Sequence, residues 1–169
     1  SYQINNYFTC YAGLNFQYYN GNLKNFCVSP RAKISFSKNR FTFWADYAQT
    51  AQYLSLYPYF TVKTPVDIWY PLEKNMKPAL CHQYSIGAEQ EIQGGLTLYA
   101  GIFYKKMKHV KDFSSGLSTK YTALTDNMIT GSGHARGVEF NLALERRKIS
   151  ARFNYTLSES KRKCADINN

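Results

Sequence analysis

The 169-residue sequence contains no long uninterrupted run of apolar residues. Because a membrane-spanning helix needs about 20 of them, a helical membrane anchor is excluded. Ala, Glu, Leu, Lys and Arg do not dominate the composition, which excludes a protein built from long helices. Disorder is excluded by the 15 Tyr and 11 Phe, since disordered chains are poor in aromatic residues. A membrane-spanning β-barrel stays open, because its alternating pattern is weak in each strand.

Closely spaced cysteines are also absent. Cys10, Cys27, Cys81 and Cys164 lie too far apart for the short spacing of a structural zinc site, and we expect mostly unpaired, packed thiols. Acidic residues are few: 11 Asp and Glu stand against 21 Lys and Arg, a formal charge of +10. The basic runs fall at predicted strand ends and turns, so they indicate a solvated rim, and we predict no nucleic-acid partner. For the outward-facing runs Lys105–Lys111 and Lys161–Lys163 we also expect contact with lipid phosphates of the outer leaflet.

No residue pattern indicates a catalytic or metal site. His82, His109 and His134 have no partner at ligand spacing, and Cys81 precedes His82 on a strand, where neighbours point to opposite faces. The glycines of residues 131–133 precede a strand rather than a helix, so they do not form a phosphate-binding loop. We predict no enzyme activity, no cofactor and no metal.

The main signal is an alternation of apolar and polar residues with a period of two. It predicts an all-β, antiparallel chain with seven strands, at residues 7–19, 31–37, 41–49, 82–91, 96–106, 137–145 and 148–159. Short and long connections alternate, the long ones being residues 20–30, 50–81 and 107–136. Transmembrane barrels have this arrangement, with short periplasmic turns and long extracellular loops.

Orientation of the barrel by its short turns gives each face of the strands a role. Tyrosines of the apolar face fall near the outer end, as an aromatic girdle at the membrane interface requires; they are Tyr18, Tyr47, Tyr84, Tyr104 and Tyr155. The polar face carries Glu89, Glu139 and Arg152, which we predict to line the lumen. In the segment 52–69, Tyr57, Tyr59 and Trp69 are candidate ligand contacts on an extracellular loop, and the alternative is that this loop packs on itself or on its neighbours.

Seven strands do not close a barrel, because bacterial single-chain barrels have an even number. Either residues 20–30 or 50–81 contain a further strand, or the chain is part of a larger barrel. The sequence has neither a leader at its start nor a closing strand at its end, and we interpret both ends as cuts.

Several segments are similar, in order and spacing, to one family: Val28–Arg31, Asp67–Pro71, Gln83–Gly87, Gly101–Met107, Gly133–Phe140 and Ser150–Ser160. Over residues 25–165 the chain resembles the C-terminal part of the barrel of TonB-dependent outer-membrane receptors, particularly those of Bacteroidetes-type bacteria. The resemblance implies a wide barrel of about 22 strands, of which about seven to eight are present here. It also implies a plug inside the barrel and uptake of a scarce nutrient such as a siderophore, cobalamin, glycan or peptide.

On this interpretation residues 1–169 belong to one β-barrel domain of the bacterial outer membrane and contain no plug domain. The implied partners are outer-membrane lipid, the rest of the barrel and its plug, the TonB complex through a missing N-terminal part, and a surface lipoprotein. Two alternatives stay open: an autonomous eight-stranded barrel that acts as an anchor or adhesin, and a soluble lipocalin-like binding module.

Overall fold

The computed structural model describes residues 2–21, 24–57, 68–72, 76–113 and 128–164. The strands are β1 (Tyr2–Gln3), β2 (Phe8–Asn20), β3 (Lys24–Lys38), β4 (Phe41–Gln52), β5 (Leu54–Tyr57), β6 (Ile68–Pro71), β7 (Ala79–Ile92), β8 (Leu96–Phe113), β9 (Met128–Arg146) and β10 (Ile149–Cys164). Eight of them form one antiparallel sheet in the order β1-β2-β3-β4-β7-β8-β9-β10. Within these ranges no helix has the length and hydropathy of a membrane span.

All seven predicted strands occur; β2 has the predicted length, and the other six are longer than their alternating patterns indicated. The long connection expected at residues 20–30 was wrong, because β3 begins at Lys24 and pairs there with Asn20. Pro30 hides this extension in the sequence, since proline cannot donate to a strand ladder. In the structure it still pairs with Leu14 of β2, and pairing between β3 and β4 reaches only Arg31.

The segment 50–81 contains two strands, but neither joins the main sheet. β5 and β6 pair only with each other among the described residues. The hairpin is held at its base, where the Leu72 amide donates to the Tyr53 carbonyl at 3.1 Å and the Tyr53 ring stacks on Tyr19 at 5.2 Å. The eighth strand of the main sheet is instead the short β1, which pairs with β2.

Tight turns join the strands at one end of the sheet. Asn39 and Arg40 have φ values of 50° and 66°, the two positive angles that a two-residue type I′ hairpin requires. Gly95 has φ 80°, and a Cβ on it would lie 1.9 Å from the carbonyl oxygen of Glu145. Only glycine fits there without strain, because both its backbone angle and its close neighbour exclude a side chain.

The two faces of the sheet have the reverse of the burial pattern of a water-soluble protein, in which apolar side chains are buried and polar ones exposed. Apolar side chains of the alternating pattern are exposed, and Leu72 and Cys164 are the buried hydrophobic residues of the described chain. The polar face is more enclosed, with Ser29 and Ser85 buried. Exposed apolar residues of the outward face are Phe8, Leu14, Phe16, Tyr18, Phe26, Val28, Ile34, Phe41, Phe43, Tyr84, Ile86, Leu98, Ile102, Tyr104, Phe140, Leu142, Ile149, Phe153, Tyr155 and Leu157.

These outward residues form a band that runs obliquely across the strands. The band ends at Tyr18 on β2 and at Leu157 on β10, and the row of cross-strand partners that starts at Leu157 reaches β2 at Cys10. The edge of the band thus shifts by eight residues of β2 register, roughly 27 Å, over six strand spacings of roughly 29 Å in total. A level band therefore requires strands tilted by about 40°, as in transmembrane barrels.

Candidate lumen wall and membrane face

The inward face carries a polar depression of about 850 Å³ between β7 and β10. Glu89, Glu139 and Arg152, the three residues predicted to line the lumen, all lie in it. The strand register explains this, since Glu139 is the direct partner of Thr156 on β10 and Arg152 is the partner of Ala143 on β9. The remaining lining residues are Gly95, Thr97, Tyr99, Phe140, Asn141, Ala143, Glu145, Asn154 and Thr156.

The charged side chains of this depression form few close ion pairs with one another. Arg152 Nη2 lies 3.8 Å from Glu145 Oε1, and both side chains are more than half exposed, so water screens the pair. Asn141 donates to the Asn154 amide oxygen across the β9–β10 ladder. Three glutamates and one arginine give the lining a net charge of −2, and the surface offers hydrogen bonds to a polar or cationic partner.

Aromatic rings lie flat against the inward face beside this depression. Trp44 covers Gly87, where a Cβ would lie 2.6 Å from its Cζ2, and Trp44 stacks on Tyr99 with 6.3 Å between ring centroids. Lys33 Nζ lies 5.1 Å above the Trp44 ring, a cation–π contact. This aromatic surface was not predicted from the sequence, although Trp44 stands out as an aromatic residue on a polar face.

The five girdle tyrosines lie on the outward face, and the structure brings three of them together. Tyr84 is the direct cross-strand partner of both Tyr47 and Tyr104, and the Tyr47 and Tyr84 rings lie 5.1 Å apart. The Tyr47 hydroxyl is 3.0 Å from His82 Nδ1. Tyr18 and Tyr155 are exposed on the flanking strands β2 and β10, away from this cluster.

The candidate loop residues fall on or near the β5–β6 hairpin. Trp69 is 59% exposed and pairs with Leu56, while the backbone of Tyr57 pairs with Ile68. Tyr59 lies outside the described residues. The structure therefore exposes an aromatic ring of this hairpin at the end of the sheet opposite the tight turns.

Metal binding depends on how the His, Cys, Asp and Glu side chains of the described residues are placed relative to one another. In the parts of the chain that the structure describes, no group of three His, Cys, Asp or Glu side chains is placed to hold a metal ion. All four cysteines are free thiols.

Comparison with protein-family models gives one decisive match. Residues 1–169 match the family described as TonB dependent receptor-like, beta-barrel. The chain belongs to this family. Comparisons with curated proteins and with solved structures gave no match. The resemblance seen in the sequence and the prediction of an antiparallel transmembrane β-barrel are both confirmed.

Membership in the TonB-dependent receptor family indicates which face of the sheet contacts lipid and which faces the lumen. Receptors of this family are outer-membrane β-barrels that act as receptors and transporters, and the family is not one of enzymes. The apolar face is therefore the lipid side and the polar face the lumen side. The soluble lipocalin-like alternative is wrong.

The sheet order of this TonB-dependent receptor barrel also bears on the closed eight-stranded alternative. Such a barrel needs pairing between its first and last strands. Within the described ranges, β1 pairs with β2 and β10 pairs with β9, so the two strands form opposite edges of an open sheet. This arrangement contradicts a barrel closed by these eight strands.

Proposed function

We propose that this chain forms part of the wall of a transporter that carries a scarce nutrient across the bacterial outer membrane. The observation that carries the proposal is the reversed polarity of the sheet, in which Leu14, Ile102 and Phe153 are more than half exposed while the opposite face holds polar groups. A siderophore, a cobalamin, a glycan and a peptide are the nutrient classes that fit the family. The residues described here supply wall and loop surface rather than reaction chemistry.

The open edges of the sheet support a larger assembly. One side of β10 has no strand partner among the described residues, and on the side of β2 that faces away from β3 only Thr9 and Cys10 are paired, with β1. Unpaired backbone groups are costly in hydrocarbon, so we propose that further strands of the same barrel domain cover both edges. Residues 1–169 would then belong to one barrel domain, whose plug and TonB-contacting segment lie outside these residues.

The lumen depression is proposed as the surface that meets the plug or the passing solute. The charged groups of Glu89, Glu139 and Arg152 lie in one depression, beside the stacked rings of Trp44 and Tyr99, and in this proposal they face the interior of the barrel. A net negative, hydroxyl-lined and amide-lined surface suits a polar or cationic partner better than an apolar one. Changes here are expected to alter transport without loss of the barrel.

The transport proposal is tested in cells that lack the complete receptor. Each nutrient class is supplied as the limiting source: a ferric siderophore, cyanocobalamin, an oligosaccharide or an oligopeptide. We expect the deletion to abolish growth on one class, with rescue by the wild-type gene and loss of that rescue when TonB is removed. Equal growth of deleted and wild-type cells on all four sources would contradict a nutrient transporter and leave an anchor or adhesin.

The β5–β6 hairpin is tested in the same receptor once the nutrient is known. We propose that Trp69, with Tyr57 and Tyr59, contacts the ligand or a surface lipoprotein that covers the loops. Trp69→Ala is expected to reduce uptake about tenfold, the effect of losing about 1.4 kcal/mol of binding. Leu54→Ala, an exposed apolar change in the same hairpin, is the matched control. Equal uptake by the two variants would mean that this loop only packs on its neighbours.

A further inference from the structure

A set of cations lies on the lipid side of the barrel, just beyond the tyrosines. Lys106 and Lys108 follow Tyr104 at every second position of β8, and Lys161 and Lys163 follow Leu157 on β10. Because side chains two residues apart share a face, all four extend the outward apolar band. With Arg136, which lies between them on β9, they form a group that we name the outer basic patch (Lys106, Lys108, Arg136, Lys161, Lys163).

Strand register brings the members of the outer basic patch together. His134 on β9 is the direct partner of both Lys106 and Lys161, and Ser132 is the partner of both Lys108 and Lys163. The cations thus form two adjacent rows that cross three strands, each row about 10 Å wide at a strand spacing of about 4.8 Å. This width suits a headgroup with several anionic oxygens.

The patch has more positive charge than its own neighbours neutralise. Glu159 is the one acidic side chain on the outward face of the described residues of β8, β9 and β10, and it contacts Arg136 at 2.8 Å and Lys161 at 2.5 Å. Hydrogen bonds from Lys161 and Arg136 hold the pKa of Glu159, on the aqueous side of Leu157, below its ordinary value. Five cations and one carboxylate leave a net charge of +4, and the Arg136 and Lys161 side chains are 66% and 62% exposed.

The lower members of the patch lie in the headgroup layer. Two residues along a strand tilted by about 40° rise by about 5 Å, so Lys106 lies about 5 Å beyond the Tyr104 level. Lys108 lies about 10 Å beyond Tyr104, and Lys161 and Lys163 lie about 10 and 15 Å beyond Leu157, so these long side chains must reach back toward the membrane to meet a headgroup. The polar layer on each side of the hydrocarbon is about 5–8 Å thick. Phosphates of membrane lipids occupy this layer.

We propose that the outer basic patch binds the phosphate groups of a phosphorylated lipid headgroup in the outer leaflet. Lys106, Lys108, Lys161 and Lys163 supply mobile ammonium donors, and Arg136 supplies a planar donor pair suited to two phosphate oxygens. The acyl chains of the same lipid lie on the apolar band directly beneath, against Ile102 and Leu157. A single lipid is thus held by charge at its head and by apolar contact along its tail.

The alternation of the strands provides a matched control for this proposal. Lys105 and Arg162 are sequence neighbours of Lys106 and Lys161, but they lie on the inward face: Lys105 Nζ is 5.1 Å above the Phe103 ring, and Arg162 lines an inward depression with Met107. Variants at the two pairs remove the same charge from the same strands. Only the outward pair is expected to affect lipid binding.

The test measures the affinity of the complete detergent-solubilised receptor for diphosphoryl lipid A by native mass spectrometry. A lysine near an anionic lipid surface contributes a factor of about five, so Lys106→Gln with Lys161→Gln is expected to weaken binding about 25-fold. Lys105→Gln with Arg162→Gln should change it less than twofold. Equal losses in the two double variants, or no loss in the outward one, would overturn the proposal.

Two further arms separate phosphate recognition from other causes. Dephosphorylated lipid A should bind the wild-type receptor about as weakly as the outward variant binds diphosphoryl lipid A, and inorganic phosphate should compete only at far higher concentration. Glu159→Gln removes the negative charge from the patch, so it should tighten lipid binding, whereas a merely structural role of Glu159 would weaken it. Heat-modifiable electrophoretic mobility of each variant checks that the barrel is folded. Equal binding of dephosphorylated lipid, or weaker binding by Glu159→Gln, would also overturn the proposal.

Discussion

The outward and inward faces of the same strands differ in which side chains they expose. On the outward face, Leu14, Phe16 and Phe153 are each more than 60% exposed, and no described layer of protein covers them. On the inward face, Trp44 and Tyr99 cover the backbone and the charged groups stay wet. In a soluble protein the apolar face would be the core. Here the hydrocarbon of the membrane takes the place of a core, so the backbone ladder and lipid contact stabilise the sheet.

The largest effect is expected from a charge on the lipid face. Leu98 is exposed on the outward face, six residues along β8 and about 15 Å below the Tyr104 level, and we predict that Leu98→Arg destabilises the receptor by about 2–4 kcal/mol. Thr97→Arg is the matched inward change, at the next residue of the same strand and in the solvated depression, and should cost far less. Denaturant unfolding of the complete receptor in lipid vesicles measures both. Equal costs would mean that the two faces share one environment.

An intermediate effect is expected where the inward aromatic surface touches the backbone. A Cβ at position 87 would lie 2.6 Å from the Trp44 ring, so Gly87→Ala must displace this ring from its stack with Tyr99. We predict a cost of about 1–2 kcal/mol, together with a change in tryptophan fluorescence. Gly101→Ala meets the tip of the Tyr99 side chain instead, which moves more easily. A cost at position 101 as large as that at position 87 would contradict a rigid aromatic surface.

The smallest effect is expected from the charges of the lumen. Arg152 and Glu145 are 64% and 70% exposed and lie 3.8 Å apart. For such a pair we predict that Arg152→Gln changes the free energy of unfolding by less than about 0.5 kcal/mol. The same unfolding measurement in vesicles provides the check. A loss above about 1 kcal/mol would mean that the lumen side is dry rather than solvated.

The comparison of faces was predictable from the sequence because it follows from a period of two. Every second residue of β10, from Ile149 to Leu157, is apolar, and this pattern defines both the strand and its lipid side before any contact is known. Glu89, Glu139 and Arg152 could be assigned to one face for the same reason. Their presence in one depression could not, since that depends on the register between four different strands.

The features that the sequence did not reveal have local physical causes. β3 includes the residues before Pro30 because the proline lies just outside the β3–β4 ladder, which ends at Arg31, so its missing N–H costs no bond to β4. Before this point a side chain of β4 makes the contact, since Gln49 Nε2 donates to the Val28 carbonyl at 3.1 Å. The β5–β6 hairpin shows no sustained alternation because each of its strands has only four residues, and among the described residues these strands pair with each other and not with the main sheet. The aromatic surface over Gly87 depends on which residue of β4 faces it, a cross-strand relation that a single strand does not encode.

The oblique course of the apolar band has a consequence for the size of the opening. A strand inclined by about 40° occupies roughly 6 Å of the circumference, whereas an upright strand would occupy about 4.8 Å. The same number of strands therefore encloses a ring about 30% wider, with no added chain. The slope recorded in the offset between Tyr18 and Leu157 thus helps to set the bore of the channel.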